Sequence, residues 1–319
     1  MTVSAAAICT LYPSSGGWEN AVLAISDRMI TAGDIEYEPG GNCKISWLGV
    51  PECPGKILAL VSGDAVSHGT IVSRTLNEVL AHYITDVGAV AKRYADNFAA
   101  LRREQAERAS LHPLGLSLDS FLDAQADMNQ GVVNDAMERL RSHHLGVEAI
   151  IAGMDSTGAH IYTVGGFNEY GEEKCYETCH DAIGFCAVGI GGRHFESQYM
   201  VFQYNRIWAL ANAVLLMYMA KKKAEVAPGV GAATDMHYID NRIAIALPDE
   251  YKNALDEHYE AHSQTVLDAW ITSVERMAAD ERLIARPAPP APTQQANEAS
   301  SVGQSDDSSG TQESTPSTE

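Results

Sequence analysis

The chain predicts an α+β fold rather than a doubly wound α/β fold, and two observations carry that reading. Its candidate elements run strands, helices, strands, helix, strand, helix, without the strict β-α alternation of a parallel sheet. Its strand candidates have no consistently polar face, so their sheets should be covered on both sides.

Residues 2–11 are small and apolar, Pro13-Ser14-Ser15-Gly16-Gly17 is turn-rich, and Ala21–Ile25 is a second apolar run. Two short runs divided by such a cluster read as a β-hairpin. Ile45–Leu48 and Ile57–Val61 are two further strands, the second ending at Ser62-Gly63-Asp64. From Ser67 the period changes: Ile71, Thr75, Val79 and Tyr83, then Tyr94, Phe98 and Leu101 beyond Gly88, fall at helical spacing. Pro113 and Gly115 interrupt the helices before a third segment, Ser117–Arg141. Strands return at Glu148–Ala152 and His160–Val164, joined by the turn Asp155-Ser156-Thr157-Gly158. Gly189-Ile190-Gly191-Gly192 then leads into one long helix ending near Lys221-Lys222-Lys223, read as a solvated helix end. Asp235–Leu247 is a strand region. A long C-terminal helix starts near Pro248-Asp249, where proline's missing N–H costs least. Its stripe of Tyr251, Leu255, Tyr259, His262, Val266, Trp270, Val274 and Met277 keeps helical spacing.

The 319 residues carry 22 Lys+Arg against 42 Asp+Glu, a formal charge of −20, which disfavours the basic patches that broad nucleic-acid binding needs. No basic-then-apolar leader opens the chain, and the longest apolar stretch, Ile207–Ala220, is shorter than the ~20 residues of a membrane span. The expectation is a cytoplasmic protein with no membrane partner, whose six cysteines stay reduced. Composition shifts at Arg286, where a Pro-rich and then acidic Ser/Thr-rich run begins. Residues 286–319 are expected to be a disordered tail behind one domain spanning 1–285.

Thr2 follows the initiator methionine and has a small side chain, so loss of Met1 could leave a free N-terminal threonine. That puts a hydroxyl nucleophile and an amine base on one residue. The reference pKa of an α-amine, roughly 7.7–8.0, leaves a sizeable neutral fraction, and a neighbouring cation enlarges it. Folding the hairpin about Ser14–Ser15 sets residue i opposite 29 − i, which puts Thr2 opposite Asp27 on one sheet face.

Ser26-Asp27-Arg28-Met29-Ile30-Thr31-Ala32-Gly33, then Lys44-Ile45, then Ala59-Leu60-Val61-Ser62-Gly63-Asp64-Ala65 resembles the opening of β-type proteasome subunits and their bacterial HslV-type relatives. Gly153-Met154-Asp155 with Gly158 and Ile161-Tyr162, and Ala187-Val188-Gly189-Ile190-Gly191-Gly192 before a helix, follow in the same order, so the likeness spans roughly residues 2–245. The resemblance implies an N-terminal nucleophile hydrolase fold, a four-layer αββα sandwich with a helical insertion around 85–145, stacked into homo-oligomeric rings. It implies a threonine peptidase acting on peptides or unfolded proteins, with Thr2 as nucleophile, Lys44 as the ammonium beside it and Asp27 holding Lys44. The oxyanion would meet a backbone N–H near Leu60 or Val61, and the Thr31 backbone would pair with an extended substrate. The chemistry calls for no metal or other cofactor; an ATPase unfoldase is a compatible partner. Two rival readings share the fold, a catalytically silent ring subunit and a small-molecule amidase.

Departures from the pattern fall outside the triad. Met29 stands where the family usually has Arg, Ile190 replaces a supporting hydroxyl, and Ala227 and Val230 stand where it has Asp and Ser. Cys175, Cys179, His180 and Cys186 lack standard zinc-finger spacing and read as thiols in or beside strands. His143-His144 reads as an exposed pair at a helix end. Gly189-Ile190-Gly191-Gly192 is not a phosphate loop, since GxGxxG would need glycine at His194.

Overall fold

The computed structural model describes residues 2–11, 18–32, 35–40, 44–50 and 56–279. Its elements in order are β1 (Ser4–Leu11), β2 (Glu19–Asp27), β3 (Ile30–Ala32), β4 (Ile35–Tyr37), β5 (Ile45–Trp47) and β6 (Lys56–Gly63). The helices α1 (Ala65–His82), α2 (Val87–Ser110), α3 (Leu118–Ala124) and α4 (Gln130–Ser142) follow. Then come β7 (Val147–Asp155), β8 (Gly158–Gly165), β9 (Glu177–Cys179), β10 (Phe185–Val188), α5 (Gly192–Val201) and α6 (Leu210–Ala224). The chain continues through β11 (Thr234–Ile239), β12 (Ala244–Ala246) and α7 (Asp249–Ala278). Residues 1–264 form one compact unit, and a second begins at Thr265 within α7.

The protein is mixed α+β, built on two antiparallel sheets ordered β10-β1-β2-β11-β12 and β5-β6-β7-β8-β9. Side chains alternate faces along a strand, so each sheet serves two cores. Ala5, Ala7 and Cys9 of β1, with Leu23 and Ile25 of β2, pack against Phe195 and Tyr199 of α5 and Leu216 and Ala220 of α6. The other face of that sheet, with Ala6, Ile8, Val22 and Ala24, meets Leu58, Leu60, Ile150, Ala152 and Ile161 of the second sheet. The far face of the second sheet, with Ala59, Val61, Ala149, Ile151 and Val164, packs on Ile71 and Val79 of α1 and Tyr94 and Phe98 of α2. The packing order is helices, sheet, sheet, helices. This explains why strands in antiparallel sheets read as continuously apolar: neither face reaches water.

The hairpin forms, with a register one residue away from the expected one. Ser4 pairs with Ser26 and Leu11 with Glu19, so residue i faces 30 − i, and Val3 rather than Thr2 stands opposite Asp27. The expected turn centre lies outside the described residues. The Asp27 N–H donates to the Val3 carbonyl at 3.2 Å. β1 begins at Ser4 and β2 ends at Asp27, so Thr2 and the Asp27 carboxylate meet beyond the last rung, where strict alternation no longer applies.

The helices also divide differently from the reading. The break between α1 and α2 falls at Tyr83, with φ of 53°. Gly88 lies in the first turn of α2, where a Cβ would come within 2.8 Å of the Tyr162 hydroxyl; its missing side chain allows helix and sheet to touch. The segment 117–141 is two helices, α3 and α4, that enclose a small core of Leu111, Phe121, Val133 and Ala136. Of the expected insertion, α2 thus belongs to a main layer, and only the part beyond it is a satellite. The single long helix before Lys221 is two, α5 and α6, parted where Gln203 adopts a left-handed φ of 51°. The short strands β9 and β10 carry too few residues to show a period.

Among the described residues no helix is long and apolar enough to cross a membrane. The tail 286–319 lies outside them. Leu58 is fully buried between the sheets, so Leu58→Ala should cost about 2–5 kcal/mol, read as a lower urea midpoint.

Candidate active site

Three segments distant in sequence converge on one carboxylate. Asp27 closes β2 with no solvent exposure, Thr2 precedes β1 at 2 %, and Lys44 precedes β5 at 8 %. The Thr2 hydroxyl donates to Asp27 Oδ1 and accepts from Lys44 Nζ. Lys44 Nζ also donates to Asp27 Oδ1 at 2.8 Å, which closes a triangle of hydroxyl, ammonium and carboxylate. The Val3 N–H reaches the same oxygen at 3.0 Å. Asp27 Oδ2 takes the N–H groups of Met29 and Gly231, each at 3.0 Å. A buried carboxylate is tolerable only when paired and hydrogen-bonded, and here both oxygens are.

The Thr2 backbone is seated from the opposite side by the glycine-rich turn before α5. Gly191 donates its N–H to the Thr2 carbonyl at 3.2 Å. Gly189 has φ of 87°, and a Cβ there would come within 2.4 Å of that carbonyl oxygen, so only glycine fits. The Ser4 hydroxyl donates to the Val61 carbonyl at 2.9 Å, and the Val61 N–H donates to the Lys44 carbonyl at 3.0 Å. β6 therefore anchors both Lys44 and the start of β1.

Of the expected residues, Thr2, Asp27 and Lys44 come together. Leu60 is buried between the sheets, and the Val61 N–H is already spent on Lys44. Residues two apart on a strand present their N–H groups to the same edge, so the next N–H on the Val61 edge belongs to Gly63. There φ is 96° and a Cβ would lie 1.9 Å from the Gly146 carbonyl oxygen. The Thr31 backbone pairs with Glu36 in the ribbon of β3 and β4.

The residues that depart from the resembled pattern each have a defined place in the structure. Met29 contributes its backbone N–H, while Arg28 turns to Asp235, with Nη2 and Nε at 2.6 and 2.9 Å from Oδ1. Ile190 is 49 % exposed. Ala227 and Val230 are buried in the apolar core that includes Val3 and Ala224. Lys221 corrects the reading of its run as a solvated end: it is fully buried and donates to Glu225 and to the Gly231 and Ala232 carbonyls at 2.7–2.8 Å. The sequence carried a cue to this, since Lys221 falls on the same helical face as Ala213 and Met217.

Cys186 is buried between the sheets and Cys179 is exposed, with burial pushing the Cys186 thiol well above its usual range. Among the described residues no group of three or more His, Cys, Asp or Glu side chains is set to hold a metal ion. His143 caps α4 half-buried and His144 lies edge-on to Phe167, so neither joins the Thr2 cluster.

A scan against protein-family models returns no match for this chain, and a search of curated proteins returns none either.

The ion pair at Thr2 should also matter for folding. Lys44→Met leaves the Asp27 carboxylate buried without its cation and should cost about 3–5 kcal/mol. Combining it with Asp27→Asn should recover part of that loss. Urea titrations of the three variants measure both, and additive losses would contradict the coupling.

Proposed function

We propose that the chain is an N-terminal nucleophile hydrolase of the proteasome-related group, a threonine-type endopeptidase acting on peptides or unfolded proteins in a cytoplasmic ring. The supporting observation is the Thr2–Asp27–Lys44 triangle, drawn from three segments and buried at the end of the inter-sheet core. The layer order, with two antiparallel sheets between helices, accords with the αββα sandwich of that group.

In this reading, processing of the Met1–Thr2 bond frees the Thr2 amine. Thr2 Oγ attacks the substrate carbonyl carbon, and its proton passes to the amine, directly or through a water. The Lys44 ammonium favours the neutral, basic form of that amine, and Asp27 keeps Lys44 charged and in place. The oxyanion forms at a backbone N–H of β6 beyond the end of β5; with the Val61 N–H given to the Lys44 carbonyl, the next N–H on that side is that of Gly63. The proton then goes to the leaving amine as the C–N bond breaks, which leaves an ester on Thr2. Attack by water on that ester releases the acid product and restores the hydroxyl.

One observation favours a silent ring subunit of the same fold: Ala227 and Val230 put methyl groups where the family has polar support. Intact mass decides between the two. The active enzyme should begin at Thr2 and gain one adduct from a threonine-directed β-lactone, and Thr2→Ala should gain none. A chain that begins at Thr2 and gains no adduct points to the silent subunit, and retained Met1 contradicts the peptidase.

Assembly has its own support. Val266, Leu267, Trp270, Ile271, Val274 and Met277 form an exposed stripe on α7, larger than the scattered apolar residues of an ordinary surface. Ring closure would bury it by repeating one heterologous contact. Light scattering should show a large homo-oligomer both for the full chain and for one ending at Ala285; a monomeric full chain contradicts the ring.

A further inference from the structure

The loop before β11 joins two buried charges. Its Gly231 N–H sits on Asp27 Oδ2, and its Gly231 and Ala232 carbonyls sit on Lys221 Nζ at 2.8 and 2.7 Å. Glu225, one turn along α6, takes the third ammonium proton at 2.7 Å. All three protons of a fully buried lysine are thereby used, two of them on consecutive carbonyls of one loop. The loop has little room to shift, because a Cβ on Gly231 would lie 2.9 Å from the Met29 Cβ. On its other side the Arg28 N–H donates to the Ala233 carbonyl at 3.2 Å.

We infer that Lys221 is a positioning residue for the Thr2 site, holding the 231–232 loop so that the Gly231 N–H fixes the Asp27 carboxylate against Lys44 and Thr2. It stands where polar groups at 227 and 230 would otherwise give support: with Ala227 and Val230 both apolar, the loop is held by an ammonium from the helix behind it. Burial lowers the Lys221 pKa, and the Glu225 carboxylate opposes that shift in part. The catalytic part of this inference rests on the hydrolase reading; the clamp on the loop does not.

Two measurements on the full-length, assembled protein separate these parts. Hydrogen–deuterium exchange over residues 226–233, read by mass spectrometry, reports the clamp. The rate of β-lactone acylation at Thr2, resolved into binding and maximal rate, reports its effect on the site. In Lys221→Met, exchange of the loop should rise about tenfold, as expected for a lost buried network. The maximal acylation rate should fall about tenfold with lactone binding unchanged, as for a group that positions the reacting atoms and does not touch the ligand. Leu216→Ala, a truncation in the core beneath the same helix, should lower the melting temperature and move neither readout. If Lys221→Met does not fold, Glu225→Ala, which unpairs one ammonium proton at a partly exposed position, should give both changes at about threefold size. Unchanged loop exchange in the folded variant overturns the clamp, and faster exchange with an unchanged acylation rate overturns the positioning role. If the wild type takes no adduct at all, the hydrolase reading fails on its own, and loop exchange still decides whether Lys221 holds the loop.

Discussion

The Asp27 carboxylate is the constraint around which this end of the molecule is arranged. Five donors converge on it: the Thr2 hydroxyl, the Val3 N–H and Lys44 on one oxygen, and the N–H groups of Met29 and Gly231 on the other. They come from the start of β1, the end of β2, the approach to β5 and the loop before β11. Taking a carboxylate out of water costs on the order of several kcal/mol, and only a near-complete set of donors with a cation among them offsets that. Each donor therefore has to stay in place, and the backbone around the site is held as a consequence. Gly189 and Gly63 accept left-handed φ because their neighbours come too close for a side chain.

The wider electrostatics follow the same logic. Three ion pairs with buried or half-buried members lie near the site: Asp27 with Lys44, Arg28 with Asp235, Lys221 with Glu225. The chain has a net charge of −20, and the cations of this region each make two or three hydrogen bonds there. That pattern suits a site whose geometry must survive proton movement, because an isolated buried charge would instead change its protonation state. The hydroxyl of Thr2 sits inside this balance, between the Asp27 carboxylate and the Lys44 ammonium, and is shielded from bulk water.

Most of the large elements were legible from period alone. Continuous apolar runs marked β1, β2, β6, β7 and β8, and a helical stripe marked α1, α2 and α7, because those segments are long enough to repeat their pattern. The convergence of Thr2, Asp27 and Lys44 was legible through the resemblance, but the route through hairpin register was wrong by one residue. Thr2 and Asp27 meet because both lie at or past the ends of their strands, a freedom that a ladder rule cannot express. That the Val61 N–H is taken up by the Lys44 carbonyl was not legible, because a side-chain pattern does not tell which N–H groups a sheet has already used. Lys221 was missed because charge runs at helix ends usually face water. Whether a given lysine turns inward depends on the carbonyls of a loop ten residues away. The division of the long helix at Gln203 depends on one left-handed residue that has no strong compositional mark.

In the proposed hydrolase, Thr2 is a nucleophile whose own amine is tuned by Lys44. The most direct measurement is the titration of the Thr2 α-amine in the processed protein, followed by the pH dependence of its reductive methylation in wild type and in Lys44→Met. The wild-type amine should titrate below the ordinary range of roughly 7.7–8.0, and the variant should move back up toward it. A blocked amine in the purified protein, or one that titrates in the ordinary range and ignores the loss of Lys44, would contradict the account.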